Sequence, residues 1–83
     1  MKRTKLEDYL AILQLLQINQ RPLQITEIQT GTRIESDQLE KDLIFLLEQK
    51  AIERRPLGIS HAFFVAPTGD KLLRYFTSSL TTS

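Results

Sequence analysis

The sequence lacks cysteine altogether and contains a single histidine, His61, so the residues that most often build metal and nucleophilic sites are nearly missing. Without thiols the chain can form neither a disulfide framework nor a thiolate zinc site, which is compatible with a reducing cytoplasm. Its carboxylates are scattered, and no nucleophile–base pair or phosphate-binding loop is recognisable. We therefore expect no metal, no cofactor, no small-molecule substrate and no catalysis.

Long apolar runs are also missing: none approaches the roughly 20 residues that a membrane-spanning helix needs. Glu7 and Asp8 interrupt the stretch after the basic N-terminal residues, which predicts that no secretory signal is present. The formal net charge is only +1 at pH 7. Proteins that bind nucleic acid through bulk electrostatics are usually more basic, so any DNA contact requires locally concentrated cations. We expect a cytoplasmic protein without membrane contacts.

What is present is the composition of one small globular domain. Of the 83 residues, 41% are hydrophobic and 25% are charged, which argues against wholesale disorder. No repeat and no long linker divides the chain. We expect a single domain over 1–83, with a basic arm at 1–4 and a flexible tail at 77–83, and no separate sensing domain.

A first helix is predicted over 5–18. Thr4 and Glu7 have the spacing of a capping box at its start. Apolar residues then recur at helical spacing: Leu6, Tyr9, Leu10, Ile12, Leu13 and Leu16. Pro22 cannot continue a helix, and the apolar residues at 23–25 predict a short strand after it.

Two further helices are predicted next in the chain. Thr26 is a suitable N-cap for a short helix over 26–31, and Gly31 near its end suits a left-handed cap. Ser36 is a suitable N-cap for a longer helix over 36–49. Helices joined by so tight a turn form a helix-turn-helix when another helix packs across them.

The helix over 36–49 has two chemically different faces. One stripe consists of leucines: Leu39, Leu43, Leu46 and Leu47. The opposite face is centred on Lys41, with other polar residues around it: Asp37, Gln38 and Glu48. Ile44 and Phe45 lie on its flanks, where they predict either an exposed apolar patch or an enlarged core.

A hairpin and a last helix complete the predicted order. A strand begins at Ala51 or Ile52, the segment PLGISH supplies the turn, and AFFVA forms the return strand. The segment PTGDKLLRYF predicts a closing helix capped by Thr68. The fold class is therefore α+β, mainly α: a winged helix-turn-helix, with a three-helix core, a two- or three-stranded β-wing and a C-terminal helix.

The segments ITEIQTGTRIESDQLEKDLIFLLEQKAIERR and FFVAPTGDKLLRYF resemble the winged helix-turn-helix transcriptional regulators common in archaea. That family ends its wing with an aromatic–x–aliphatic–Thr–x–x–Gly pattern, which Phe64 to Asp70 retain with compressed Thr–Gly spacing. The family commonly has glycine where this chain has Lys50. The resemblance covers about 5–76 and implies a small DNA-binding regulator. Either Lys50 is left-handed, at a cost on the order of 1 kcal/mol, or the turn differs here from that of the family.

An amphipathic helix followed by a basic hairpin suits double-stranded DNA, since one α-helix fits the major groove. The helix over 36–49 would enter the groove, and the wing over 52–65 would lie on the backbone. Strand alternation sends Arg54 and Arg55 to opposite faces, so only one of them meets a given partner near His61. The candidate DNA-binding residues are Lys2, Arg3, Arg33, Gln38, Lys41, Arg54, Arg55 and His61.

Each candidate also has an ordinary interpretation as a solvated surface residue. Acidic residues of the recognition helix count against groove insertion, although a carboxylate can accept from the cytosine amino group: Asp37, Glu40 and Glu48. The alternative function is a winged helix that binds another protein through Ile44 and Phe45 and binds no nucleic acid. Tyr9, Tyr75 and the last helix favour a homodimer.

Overall fold

The computed structural model describes the backbone of residues 4–81 and the side chains of 4–76. The predicted arm residues Lys2 and Arg3 lie outside the described residues. Four helices and three strands follow in the order α1 (Lys5–Asn19), β1 (Leu23–Gln24), α2 (Ile25–Thr32), α3 (Ser36–Glu48), β2 (Ile52–Leu57), β3 (Ser60–Val65) and α4 (Pro67–Thr81). None of the described helices combines the length and the apolar character that crossing a bilayer requires.

The first helix begins as the capping box predicts. The Glu7 amide donates to Thr4 Oγ1 over 3.1 Å, and the Thr4 amide donates to Glu7 Oε1 over 3.0 Å. The helix ends one residue later than predicted, and Gln20 follows it in the left-handed conformation with φ 53°. Its amide donates to the Leu16 carbonyl over 3.1 Å, which closes the last turn.

The predicted caps of α2 are wrong by one or two residues. The helix begins at Ile25 rather than after Thr26, because the Glu27 carboxylate accepts from the Gln24 amide at 3.1 Å and fixes an earlier start. Its left-handed end residue is Arg33, with φ 61°, rather than Gly31. Gly31 has a different role: a Cβ there would stand 2.7 Å from Leu15 Cδ2, so the glycine lets α1 approach closely.

The start of α3 also differs from the prediction. Glu35 occupies the N-cap position and Ser36 is already helical. The Ser36 hydroxyl accepts instead from Gln29 Nε2 at 2.8 Å, so it ties α3 to α2. Ser36 therefore joins the two helices rather than capping the second.

At the end of α3 Lys50 is left-handed, with φ 60°, which decides between the two alternatives that the sequence left open. Its amide donates to the Leu47 carbonyl at 3.0 Å, and the Ala51 amide donates to the Leu46 carbonyl at 2.9 Å. These two hydrogen bonds form a Schellman motif, which is more often closed by glycine. The motif turns the chain directly from α3 into β2.

Ala51 is a junction between α3, the sheet and α4. Its carbonyl accepts from the Ala66 amide at 3.0 Å. Gly69 lies directly against the same carbonyl, so a Cβ at that position would overlap with it. Glycine is required here by the close approach of two backbones.

The last helix departs from the prediction at both ends. It begins at Pro67, whose fixed φ suits a first helical position, so Thr68 is not its cap. It continues to Thr81, although the apolar pattern predicts a helix only to residue 76. Leu73 is buried as predicted, whereas Leu72 is exposed.

The strands form one antiparallel sheet in the order β1-β3-β2. In the β2–β3 hairpin, Leu57 pairs with Ser60, which leaves a two-residue loop, and Gly58 takes the φ of 63° that its position requires. The helices pack on one face of this sheet around a continuous core: Ile12, Leu13, Leu16, Leu23, Ile28, Ile34, Leu39, Leu43, Leu46, Ala51, Ile52, Phe63 and Leu73. The leucine stripe of α3 is thus core, as predicted, although Leu47 lies at its edge.

Candidate nucleic-acid interface

The exposed face of α3 carries charges of both signs. Lys41 is exposed as predicted, and so are Asp37 and Glu40. Gln38, expected to face solvent freely, is instead half-buried, and its Nε2 donates to Asp42 Oδ1 over 2.8 Å. Lys41 is therefore the predicted cation that this face presents, while the Gln38 amide is held by a buried neighbour.

The partner of Gln38 is a buried carboxyl group that the sequence reasoning missed. Asp42 is 1% exposed and lies between α3 and α1. It is within hydrogen-bonding reach of the carboxyl of Asp8, which is also buried, at 7% exposed. At about 100° per residue Asp42 lies about 40° outside the arc of Leu39, Leu43 and Leu46, so the helical period alone does not predict its burial.

Burial raises the pKa of Asp42, and the negative charge of Asp8 raises it further. The hydrogen bond from Gln38 and the charge of Lys5 lower this pKa, but they do not reverse the shift. The pKa of Tyr9 is raised by desolvation and by the same two carboxylates. Asp42 Oδ2 is the one buried side-chain polar atom without a hydrogen-bond partner among the described residues. A proton shared between the two carboxyls would satisfy it.

Arg33 occupies the turn that leads into α3. It is exposed, and its left-handed backbone is held by a hydrogen bond of 2.7 Å from its amide to the Gln29 carbonyl. A cation at this point stands immediately before the first turn of α3, whose free amides also attract anions. The structure thus places Arg33 where the sequence predicts it.

The wing separates its two arginines onto opposite faces. Arg54 pairs with Phe63, and the neighbouring pair on the same face is Pro56 with His61. Phe63 is buried in the core, so Arg54 and His61 extend the side of the sheet that the helices cover. Arg54, rather than Arg55, therefore shares a face with His61.

Arg55 lies on the outer face of the wing. Its guanidinium carbon is 4.6 Å from the centroid of the Phe64 ring, which is a cation–π contact. The contact covers part of a half-buried aromatic ring and gives Arg55 a role within the hairpin itself. The exposed candidates are therefore Arg33 before α3, Lys41 on α3, and Arg54 and His61 on one face of the wing, while Arg55 lies on the opposite face of the wing.

Apolar side chains are also exposed on α3 and α1. Ile44 is 56% exposed, and Phe45, at 41%, stacks on Tyr9 of α1 with ring centroids 4.6 Å apart. Leu6 on α1 is exposed as well. The flanking residues of α3 are thus surface residues, and the alternative of an enlarged core is wrong for Ile44.

Neither a family model nor a curated protein sequence matches the chain. Solved structures do match it. A winged-helix DNA-binding protein from STIV has a TM-score of 0.80 at 18% identity, and the match covers 95% of this chain and 91% of that one.

The fold is a winged helix-turn-helix. A MarR-family transcription regulator matches with a TM-score of 0.78 at 17% identity, over 87% of this chain and 49% of that one. A variant of MepR from a multidrug-resistant S. aureus clinical isolate matches with a TM-score of 0.75 at 21% identity, over 87% and 55%. The chain therefore spans about half the length of these two proteins.

Metal-ligating side chains were the remaining feature to locate in this fold. No three metal-ligating side chains come together within the part of the chain that the structure describes. The features that remain are a groove-sized helix, cations before and after it, and an apolar patch beside it.

Proposed function

We propose that this protein is a DNA-binding regulator of transcription that inserts α3 into the major groove of double-stranded DNA. One observation carries the proposal: exposed cations stand before, on and after α3, at Arg33, Lys41 and Arg54. Cations on both sides of a groove-bound helix neutralise the two flanking backbones. The similar structures are named as DNA-binding or transcription-regulating proteins, which supports the proposal.

The residues divide between backbone and base contacts. Arg33 and Arg54 bind phosphates, and His61 donates to a phosphate oxygen from the same face as Arg54. Lys41 and Gln38 meet base edges. The basic residues at 2–3 in the N-terminal arm and Lys5 at the start of α1 add backbone contacts. Because the whole chain carries only +1, the affinity depends on these few local cations and not on overall charge.

We also propose a cytoplasmic, non-enzymatic homodimer of the archaeal regulator type. Tyr75 is 67% exposed on α4, and Leu72 on the same helix is also exposed, so two copies of α4 can bury them together. Two-fold symmetry would present two α3 helices to successive major grooves. Light scattering tests this assembly: the wild type should have the mass of a dimer and Tyr75→Ser a lower one. A wild-type monomer at high concentration would refute it.

Fluorescence anisotropy with a random duplex over a salt series tests DNA binding. The affinity of the wild type should fall steeply as salt rises, since bound cations release counterions. Removing one phosphate contact, as in Arg54→Ala, should make the slope shallower by about 1. The matched control is Lys71→Ala, which removes one exposed cation from α4 and should leave the slope unchanged.

A second function is favoured by the patch of Ile44 and Phe45: a winged helix that binds another protein and no nucleic acid. The near-neutral charge and the acids on α3 fit this alternative. If the wild type shows no salt-dependent binding even at low salt, DNA binding is refuted. The alternative then predicts that Ile44→Ser abolishes binding to a protein partner.

A further inference from the structure

The side chain of Gln38 connects the core to the exposed face of α3. Its amide nitrogen donates to the buried Asp42 at 2.8 Å. It makes no other hydrogen bond among the described residues, and Asp42 Oδ2 is the one buried polar side-chain atom there without a partner. The Oε1 atom of Gln38 is therefore neither bonded nor buried, and it reaches solvent.

The chemistry of Asp42 fixes which end of this amide faces outward. A carboxylate oxygen accepts hydrogen bonds, so it selects the NH2 end of the glutamine and turns the carbonyl away. If the amide flipped, two acceptors would face each other inside the protein, which is strongly unfavourable at a desolvated site. A proton on the unpartnered Oδ2 of Asp42 would leave Oδ1 to accept from Gln38.

Asp42 cannot swing out to abandon this contact. It is 1% exposed, and its carboxyl interacts with Asp8 across the boundary between α1 and α3. Lys5 and Tyr9 on α1 are the other ionisable groups that interact with the pair. The orientation of Gln38 is thus set from within the core and not by solvent.

We infer that Asp42 is a positioning residue for base recognition: it holds Gln38 with its carbonyl oxygen outward, so that α3 selects bases with an amino group in the major groove. The inference rests on the proposed function. Adenine N6 and cytosine N4 are the amino donors there, whereas guanine and thymine present O6 and O4, which repel a carbonyl. The second Nε2 hydrogen of Gln38 can also donate to adenine N7, so adenine is preferred.

The experiment begins with a duplex selected from a random library by the wild-type protein. Anisotropy is then measured with all four base pairs at each position, for the wild type, Gln38→Leu, Asp42→Leu and Asp42→Asn. At one position the wild type should prefer adenine or cytosine by roughly five- to a hundredfold, the discrimination of one good base contact. Gln38→Leu should lose the preference at that position alone.

The Asp42 variants separate positioning from a structural role. Asp42→Leu removes the acceptor, so Gln38 can turn either end outward and the preference should fall to about threefold or less. Asp42→Asn should keep it, because the new amide can donate to Asp8 while its oxygen still accepts from Gln38. Asp42→Ala serves as a second variant if Asp42→Leu does not melt cooperatively.

The outcomes distinguish the inference from the proposed function. Because every base pair carries one amino group in the major groove, the preferred pair is also tested with purine in place of adenine or 2-pyrimidinone in place of cytosine, which removes that group. Salt-dependent binding without any Gln38-dependent base preference, or a preference that survives removal of the amino group, overturns the inference and leaves DNA binding intact. A preference that survives Asp42→Leu and Asp42→Ala shows that Gln38 does not need Asp42, and also overturns it. Absence of binding by the wild type refutes the proposed function itself.

Discussion

The replacement Asp42→Asn should stabilise this protein at neutral pH. The wild type buries a carboxyl whose Oδ2 atom has no partner and stands close to a second carboxyl. Asparagine has nearly the same shape; its nitrogen can donate to Asp8 and its oxygen can accept from Gln38. A buried polar atom left unsatisfied costs about 1–3 kcal/mol, so the free energy of unfolding should rise by about that amount at pH 7.

The gain should depend on pH in one direction. Because the pKa of Asp42 is raised by burial and by Asp8, the folded state binds a proton more tightly than the unfolded state does. The contribution of Asp42 to stability is thus fully present below its ordinary pKa of 3.8 and is lost as pH rises through the higher folded-state pKa. The advantage of asparagine should therefore be small near pH 4 and larger at pH 7.

Thermal and urea unfolding at pH 4, 5.5 and 7 measure this difference. For a domain of this size, each kcal/mol corresponds to roughly 4–8 °C in Tm. Asp37→Asn is the matched control, since Asp37 is exposed on the same helix and should change stability by less than about 1 kcal/mol. The reasoning would be refuted if Asp42→Asn were less stable than the wild type at pH 7. It would also be refuted if the stability difference between the two proteins were the same at all three pH values.

Three other substitutions have definite expected outcomes. Gly69→Ala should lower the free energy of unfolding, measured by urea denaturation, by more than about 3 kcal/mol, because its Cβ overlaps with the Ala51 carbonyl. Gly31→Ala is the control, since its added Cβ meets only the movable end of the Leu15 side chain. A loss of similar size in Gly31→Ala would contradict the argument. Lys50→Gly should gain up to about 1 kcal/mol by relieving a left-handed lysine, and a loss would show that no strain exists there. If the protein binds DNA, Arg54→Ala should weaken the affinity and reduce the slope of its salt dependence by about 1. Arg55→Ala, on the outer face of the wing, should have a smaller effect. Equal effects would show that the two arginines do not differ in their access to DNA.

The sequence was sufficient to predict the elements but not their exact ends. The order of helices and strands and the buried leucines of α3 follow from periodicity and turn chemistry, and the structure confirms them. The caps at Thr26, Ser36 and Thr68 were wrong because several polar residues compete at each helix start. Tertiary contacts, such as Gln29 with Ser36, decide among them.

The candidate site was predictable only in part, for a similar reason. Residue type and alternation located Lys41 and separated Arg54 from Arg55. The local sequence pattern does not show that Gln38 donates to a buried carboxylate. That carboxylate, Asp42, is covered by α1, where it meets Asp8, a residue thirty-four positions earlier in the chain. Helix periodicity alone does not predict the orientation of a side chain that depends on residues distant in sequence.

The Ala51 junction has a mechanical consequence. A single residue, Ala51, closes the end of α3 through its amide and accepts through its carbonyl from Ala66 at the start of α4, and that carbonyl lies against Gly69. Gly69 lies so close to the Ala51 carbonyl that no side chain fits between them. We therefore expect the end of α3 and the start of α4 to move together as one rigid unit.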